Sequence, residues 1–367
     1  MSYTSSLAVL DHCCHLREFR TNLKRKNGFI CFALNTVPTP LNRMSANLFA
    51  FFGVNIYYLT RKNSRHSTIG VTMRLITRTD LDGLTCAVFI TVMEKIDEVL
   101  FAEPKAMQDG KVEVNDHDII ANLPYNDNCA LWFDHHTSQM FHSEKEYKGM
   151  FAVAPSCARV IYDFYQQPDE LKGFNELLVE TDRVDSANLN MDDVLNPKGW
   201  VLVSYTLDPR SGLDAFEDYF QRMIGWIQVH TVEEILQIPD VKEKVDKYLS
   251  QQDDFKKALL EHSREDGNVV ITDQRPVQKF PAGNRFLIYT LFPKVNVSVR
   301  LFKGRDAGIT VCAVGHSIFN RTCKTNVGEL MHEYGGGGHK GAGTCQFPDA
   351  EADAKVAEII ERMKKAG

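Results

Sequence analysis

The sequence predicts an α/β protein in which a parallel-sheet domain is joined by a helical connector to a smaller α/β domain with a mixed sheet. Three observations carry this expectation. From residue 73 onward, short β-rich runs alternate with segments of helical periodicity. About fifty residues after Leu213 read as helix alone, and beyond Gly267 apolar residues recur at period two ahead of a glycine-rich run. With 44% hydrophobic and 25% charged residues, the 367-residue chain has the composition of a globular protein of about two domains.

The elements follow in order. Residues 74–79 form a β-rich run that stops at Asp80-Leu81-Asp82-Gly83, and 84–100 are apolar at helical spacing. Residues 118–123 and 130–133 read as strands, the second running directly into Asp134-His135-His136. Helices are expected over 158–165 and near 170–179, then a polar turn at 180–185. Residues 216–235 and 241–260 read as helices separated at Pro239. Val295, Val297, Val299 and Leu301 alternate with polar residues as in a half-buried strand, with 309–314 as its neighbour. A helix over 327–334, the run from Gly335 to Gly343, a strand over 344–347 and a helix over 350–365 complete the pattern. The expected organisation is a first domain over 73–235, a helical linker over 236–266 and a second domain over 267–367.

Residues 1–72 stand apart. They hold nine Lys or Arg against Asp11 and Glu18, so a net charge of −6 divides into +7 here and −13 in the remainder. Without sustained periodicity they read as a non-core extension, disordered or upstream of a start at Met73; a basic arm for nucleic acid is the second reading. His12, Cys13, Cys14 and His15 are consecutive and lack zinc-site spacing. The apolar stretch 47–59 is interrupted by Gly53 and Asn55 and falls short of the ~20 residues of a membrane span. Nine cysteines without a CxxC pair, and no secretory signal, lead to the expectation of reduced thiols and a cytoplasmic location.

Asp80, Asp82, His135 and Asp182 bring carboxylates and an imidazole to turns that converge in an open parallel sheet. That donor set suits Mn²⁺ or Mg²⁺. One such Asp alone would be read as a helix cap; three turns together favour a metal. The glycine run offers backbone N–H groups to an anion, with His339 and Lys340 beside them. Arg300, on the polar face of its strand, reads equally as a bidentate anion ligand or as a solvated residue. Asn320, Arg321 and Lys324 add polar and positive groups nearby in sequence.

In this order, TRTDLDG (77–83), WFDHHTS (132–138), TDRVD (181–185) and GGGGHKGAG (335–343) resemble the motifs of the DHH phosphoesterase family with its DHH-associated C-terminal domain. The likeness is in particular to bacterial exopolyphosphatase-related proteins. The resemblance implies a metal-dependent phosphoesterase whose active site lies between two domains. It also implies a small anionic substrate: short polyphosphate, a nucleotide or a very short oligonucleotide. By resemblance, Asp80, Asp82, His135 and Asp182 are metal ligands, Asp134 orients His135 and His136 faces the phosphate. Gly336, Gly337, Gly338, His339 and Lys340, with Arg300, would hold the substrate's far end. Two positions depart from the family pattern: Arg78 stands where a His is usual and Asn122 where a bridging Asp is usual. The expectation is therefore one Mn²⁺ or Mg²⁺ ion rather than two, with Arg78 and Asp80 joining Asp134 and His136 in the catalytic set. A catalytically weakened nucleotide or polyphosphate sensor is the alternative. The charge after residue 72 and the sparse interleaving of aromatic and basic residues disfavour long nucleic acid. No membrane partner is expected, and a homodimer is compatible with this reading.

Overall fold

The structure, a computed structural model, describes residues 25–26, 29–30, 73–139, 146–207, 217–304 and 306–366. Within 1–72 it describes one antiparallel pair, β1 (Arg25–Lys26) and β2 (Phe29–Ile30). The expectations for His12 to His15 and for 47–59 lie outside the described residues.

Five short strands make the first main sheet: β3 (Arg74–Thr77), β4 (Glu98–Phe101), β5 (Asp118–Ala121), β6 (Leu131–Asp134) and β7 (Gly149–Phe151). They are all parallel, in the order β4-β3-β5-β6-β7. Successive residues serve opposite faces. Leu75, Ile119 and Phe133 enter one core, whereas Ile76, Ile120 and Trp132 enter another. A parallel sheet buried on both faces accounts for the near-continuous apolar strands. The first core is built with α1 (Leu81–Met93); the second includes Met107 of α2 (Pro104–Gln108) and packs Tyr125, Tyr147 and Phe151 around Trp132. Helices α3 (Cys157–Phe164) and α4 (Asn175–Asp185) complete the α1 side. Strand order reverses between β3 and β5, so the chain leaves their carboxyl ends in different directions and opens a crevice. Asp80 and Asp82 follow β3, Asn122 follows β5, and His135 follows β6.

A helical layer comes next: α5 (Met191–Leu195), α6 (Gly199–Leu207), α7 (Glu217–Ile227), α8 (Val232–Ile235), α9 (Pro239–Ser250) and α10 (Gln252–His262). The second sheet contains β8 (Ser263–Asp266), β9 (Val269–Asp273), β10 (Val297–Lys303), β11 (Ile309–His316), β12 (Gly337–His339) and β13 (Ala342–Pro348), ordered β12-β13-β11-β10-β9-β8. Its β9–β10 pair is parallel and the others antiparallel, so the sheet is mixed. Short α11 (Leu287–Leu291) precedes β10, while α12 (Val327–Glu333) and α13 (Asp349–Ala366) bury Val297, Val299 and Leu301 on one face. Ser298 and Arg300 lie on the other face, as the period-two pattern requires.

Several local expectations change. The helix expected over 84–100 ends at Met93, and Glu98–Phe101 pairs with β3 as a strand. Open backbone at the sheet edge outweighs continuation of the apolar pattern through the polar break at Glu94, Lys95 and Asp97. The polar segment 180–185 is the end of α4 rather than a turn, supported by the Glu180–Arg183 ion pair one turn apart at 2.7 Å. Pro239 begins α9 at a position where its missing N–H costs no helical bond. Helix α6 has no counterpart among the expected elements, because from Trp200 to Leu207 every residue is buried and no amphipathic stripe marks it. Strands β7, β8 and β9 are likewise additions, and helix gives way to strand at Ser263 within the expected linker.

Gly83, in the first turn of α1, has no room for a side chain. A Cβ there would lie 2.1 Å from the carbonyl oxygen of Arg78. Gly337 faces open space, with nothing within 4 Å of a Cβ. Gly83→Ala is therefore expected to cost about 3 kcal/mol in a urea melt, whereas Gly337→Ala should stay within about 0.5 kcal/mol.

Candidate active site

Asp80 and Asp82 both stand at the start of α1, but their surroundings differ. Asp80 caps the helix, its Oδ1 accepting from Gly83 N–H at 2.8 Å. The same oxygen accepts from Asn122 Nδ2 at 3.1 Å, and Oδ2 pairs with Arg78 Nε at 3.2 Å. Asp82 is buried, and its two oxygens accept from the N–H groups of Cys157 and Ala158, both at 2.9 Å. These are the first residues of α3, so a buried charge meets two otherwise unpaired helix donors. Burial still pushes the Asp82 carboxyl above the ordinary range, opposed by His135 and reinforced by Asp80.

His135 closes this arrangement. Its Nδ1 lies 3.0 Å from the Ala154 carbonyl, which can only accept, so Nδ1 carries the ring proton. Nε2 is left as a lone pair, buried and without a hydrogen-bond partner. It stands 3.6 Å from Asp82 Oδ2 and 3.3 Å from Asp185 Oδ2. With Nε2 unprotonated, these three acceptors repel unless a cation lies among them, and Asp82, His135 and Asp185 group closely enough to share one. These residues fit a divalent ion. Burial, then Asp82 and Asp80, raises the Asp185 carboxyl well above the ordinary range, which is the strain an ion would relieve.

The fourth motif thus supplies Asp185, not the expected Asp182. Asp182 accepts from Ser156 Oγ at 2.6 Å and from Arg159 at 2.5 and 3.0 Å, tying α4 to the start of α3. Both residues belong to the same motif and only the roll of α4 separates them, so no signal in the sequence distinguishes the two. Asp134 also differs from expectation: its Oδ1 accepts from His136 Nδ1 at 2.8 Å, and it meets His135 only through the backbone N–H, at 2.8 Å. Ala154, not Asp134, orients the His135 ring. Asp134, His135 and His136 also group closely, but this cluster shares His135 with the first, and Asp134 Oδ1 already accepts from His136 Nδ1 and the His135 N–H. Burial opposes charging of His136, but the hydrogen bond and charge of Asp134 outweigh it and raise its pKa.

A cleft of about 770 Å³ opens beside Asp185 and runs along the polar face of the second sheet, lined among others by Arg285, Tyr289, Arg300, Arg321 and His339. Arg285 and Tyr289 lie where no motif pointed. Arg321 spans the cleft edge, donating from Nε to the Ile318 carbonyl and from Nη2 to the Ala187 carbonyl at 2.8 Å. Gly337, Gly338 and His339 line the cleft as part of the β12–β13 hairpin. Gly336 and Lys340 do not: Gly336 is pressed on the β13 backbone, where a Cβ would meet the Thr344 carbonyl at 2.0 Å, and Lys340 is exposed at the hairpin turn. Burial, with the nearby His136 and Arg285, lowers the His339 pKa, so this imidazole is neutral near pH 7.

The chain is 38% identical to the pGpG-specific phosphodiesterase PggH of Vibrio cholerae over 81% of its own length and 100% of that chain, with a TM-score of 0.70. The chain belongs to the DHH family. Two other solved structures are similar to this DHH protein at low identity: RecJ of Thermus thermophilus with Mn²⁺ (12% identity, 80% of this chain and 52% of that one, TM-score 0.49) and the DHH domain of a member of a ribosomal-protein family (13%, 80% and 87%, 0.43). No family model matches the sequence, and the curated proteins offer no match. Among the described residues no helix is long and apolar enough to cross a membrane.

Two outcomes are expected in calorimetry. Asp185→Asn should weaken Mn²⁺ binding by at least about 100-fold, whereas Asp182→Asn should change it less than about 10-fold while lowering stability by about 1–3 kcal/mol through the partners it strands. The raised carboxyls of Asp82 and Asp185 make ion binding release protons, so Mn²⁺ affinity should rise with pH until both are ionised. Acids that hold protons more tightly when folded stabilise the ion-free protein at low pH. That contribution is lost as pH climbs from the ordinary carboxylate range through the raised values. Thermal melts of chelator-treated protein across this range should show the decline, and Asp185→Asn should flatten it.

Proposed function

We propose that this DHH protein is a metal-dependent phosphodiesterase that cleaves a linear diribonucleotide of the pGpG type. The observation that carries the reading is the Asp82–His135–Asp185 donor set opening, through Asp185, into an arginine-lined cleft. Its volume is in the range of small-ligand sites. The 38% identity to a pGpG-specific phosphodiesterase, spanning that whole chain, narrows the substrate class.

Asp82, His135 and Asp185 would hold the ion, which supplies Lewis-acid polarisation of the phosphoryl oxygens. His136 is placed to act as general acid. Asp134 engages its Nδ1, its raised pKa extends the protonated form toward neutrality, and Nε2 is the atom left to pass a proton to the leaving oxygen. Arg300 and the N–H groups of Gly337 to His339 would bind the terminal phosphate, and the exposed Arg285 offers a flat guanidinium to a base. Short polyphosphate and mononucleotides are the competing substrates. A sensor that binds without hydrolysis is the second reading, favoured by the altered ligand positions Arg78 and Asn122.

With Mn²⁺ present, pGpG should be turned over at least about 10-fold more efficiently than short polyphosphate, adenosine 3′,5′-bisphosphate or a cyclic dinucleotide. Binding of pGpG without any product would establish the sensor instead. Arg300→Ala should raise KM about 10-fold or more and leave kcat within a few-fold, as expected for a group that anchors the end remote from the chemistry.

A further inference from the structure

We infer that this chain works with one divalent ion, and that the Arg78 guanidinium, clamped by Asp80, provides the second positive charge at the reacting phosphate. The inference rests on the phosphodiesterase reading for the role of Arg78, but not for the ion count.

Three contacts already engage Asp80. Oδ1 takes Gly83 N–H and Asn122 Nδ2, and Oδ2 faces Arg78 Nε. A carboxylate only accepts, so the amide orientation of Asn122 is set: Nδ2 points to Asp80 and Oδ1 remains buried with no partner. An ion arriving beside Asp80 would meet one neutral amide oxygen and a permanent cation. Guanidinium does not deprotonate to make room, and Asp80 strengthens its hold on the charge.

Charge balance points the same way. Asp80, Asp82 and Asp185 contribute three negative charges and Arg78 one positive charge, while His135, ligating through Nε2, would be neutral. A single divalent ion brings this group to zero. The adjoining Asp134 and His136 neutralise each other when His136 is protonated. A second ion would leave two uncompensated positive charges around a buried carboxylate, at a large desolvation cost.

Arg78 is also free to act. Its side chain is 37% exposed, its Nε is committed to Asp80, and its terminal nitrogens have no partner among the described residues. Asp80, which holds Arg78, stands two residues before Asp82 at the start of α1, and the charges of Asp82 and Asp185 act on the guanidinium. A fork of N–H donors can clamp two phosphoryl oxygens as charge builds on them.

The test is metal content and electron paramagnetic resonance of the full chain after saturation with Mn²⁺ and removal of unbound ion. One Mn²⁺ per chain with the six-line spectrum of an isolated ion is expected. Arg78→His combined with Asn122→Asp should bring the count to two with an exchange-broadened signal. Arg78→Ala should keep one ion but lower kcat on pGpG by at least about 100-fold, with partial recovery in Arg78→Lys. Two tightly bound ions in the unmodified protein would overturn the inference, and so would an Arg78→Ala variant that turns over within about threefold of the parent. The unmodified protein settles the ion count even if the double variant does not fold. A protein that binds one ion yet leaves pGpG intact would remove the phosphodiesterase reading and leave the ion count standing.

Discussion

The site depends on one buried carboxylate. Asp82 is almost wholly withdrawn from water, and such a charge is tolerable only where donors meet it. The first two N–H groups of α3 do so, which locks α1, emerging from β3, to the beginning of a helix that follows β7. Ser156 caps that same helix and donates its hydroxyl to Asp182, so α4 is drawn into the same junction. Once α4 is rolled to place Asp182 there, Asp185 is carried one turn onward, toward His135. A single electrostatic requirement therefore sets the mutual placement of three helices and, through them, the donor set.

Function also requires the second sheet. Its apolar face is consumed by α12 and α13, which leaves the alternate residues of β10 and its neighbours to line a cleft. The glycines of the β12–β13 hairpin allow backbone to approach backbone: at Gly338, with φ of +156°, a Cβ would lie 2.3 Å from the Ala342 carbonyl. The result is a backbone-paired edge rather than a flexible loop. Arg321 ties this half to the segment just after Asp185, so the cleft and the donor set are mechanically linked.

Between these halves the two histidines of one motif have different tasks because their ring nitrogens have different partners. A carbonyl on Nδ1 suits His135 to offer Nε2 to an ion, whereas the carboxylate on Nδ1 favours the protonated form of His136. Adjacent in sequence and with ring centroids 4.3 Å apart, they would divide ligation from acid chemistry in the proposed mechanism. Arg78 and Asn122 extend the same principle: on the one-ion inference, a cation and an amide stand where two ion ligands would otherwise, and an internal ion pair takes that ion's place.

Much of this was legible in the sequence. The alternation of strand and helix, the acidic turns at strand ends and the period-two run at Val295 to Leu301 define the class, because each reports local burial that recurs at a fixed spacing. What only the tertiary structure decided were the choices among equivalent residues. Asp185 rather than Asp182, Ala154 rather than Asp134 beside the His135 ring, and Arg285 and Tyr289 in the cleft all depend on how a helix is rolled or which loop lies opposite. Such choices are fixed by long-range contacts that leave no periodicity along the chain, and for the same reason α6, buried on every side, carried no stripe by which to find it.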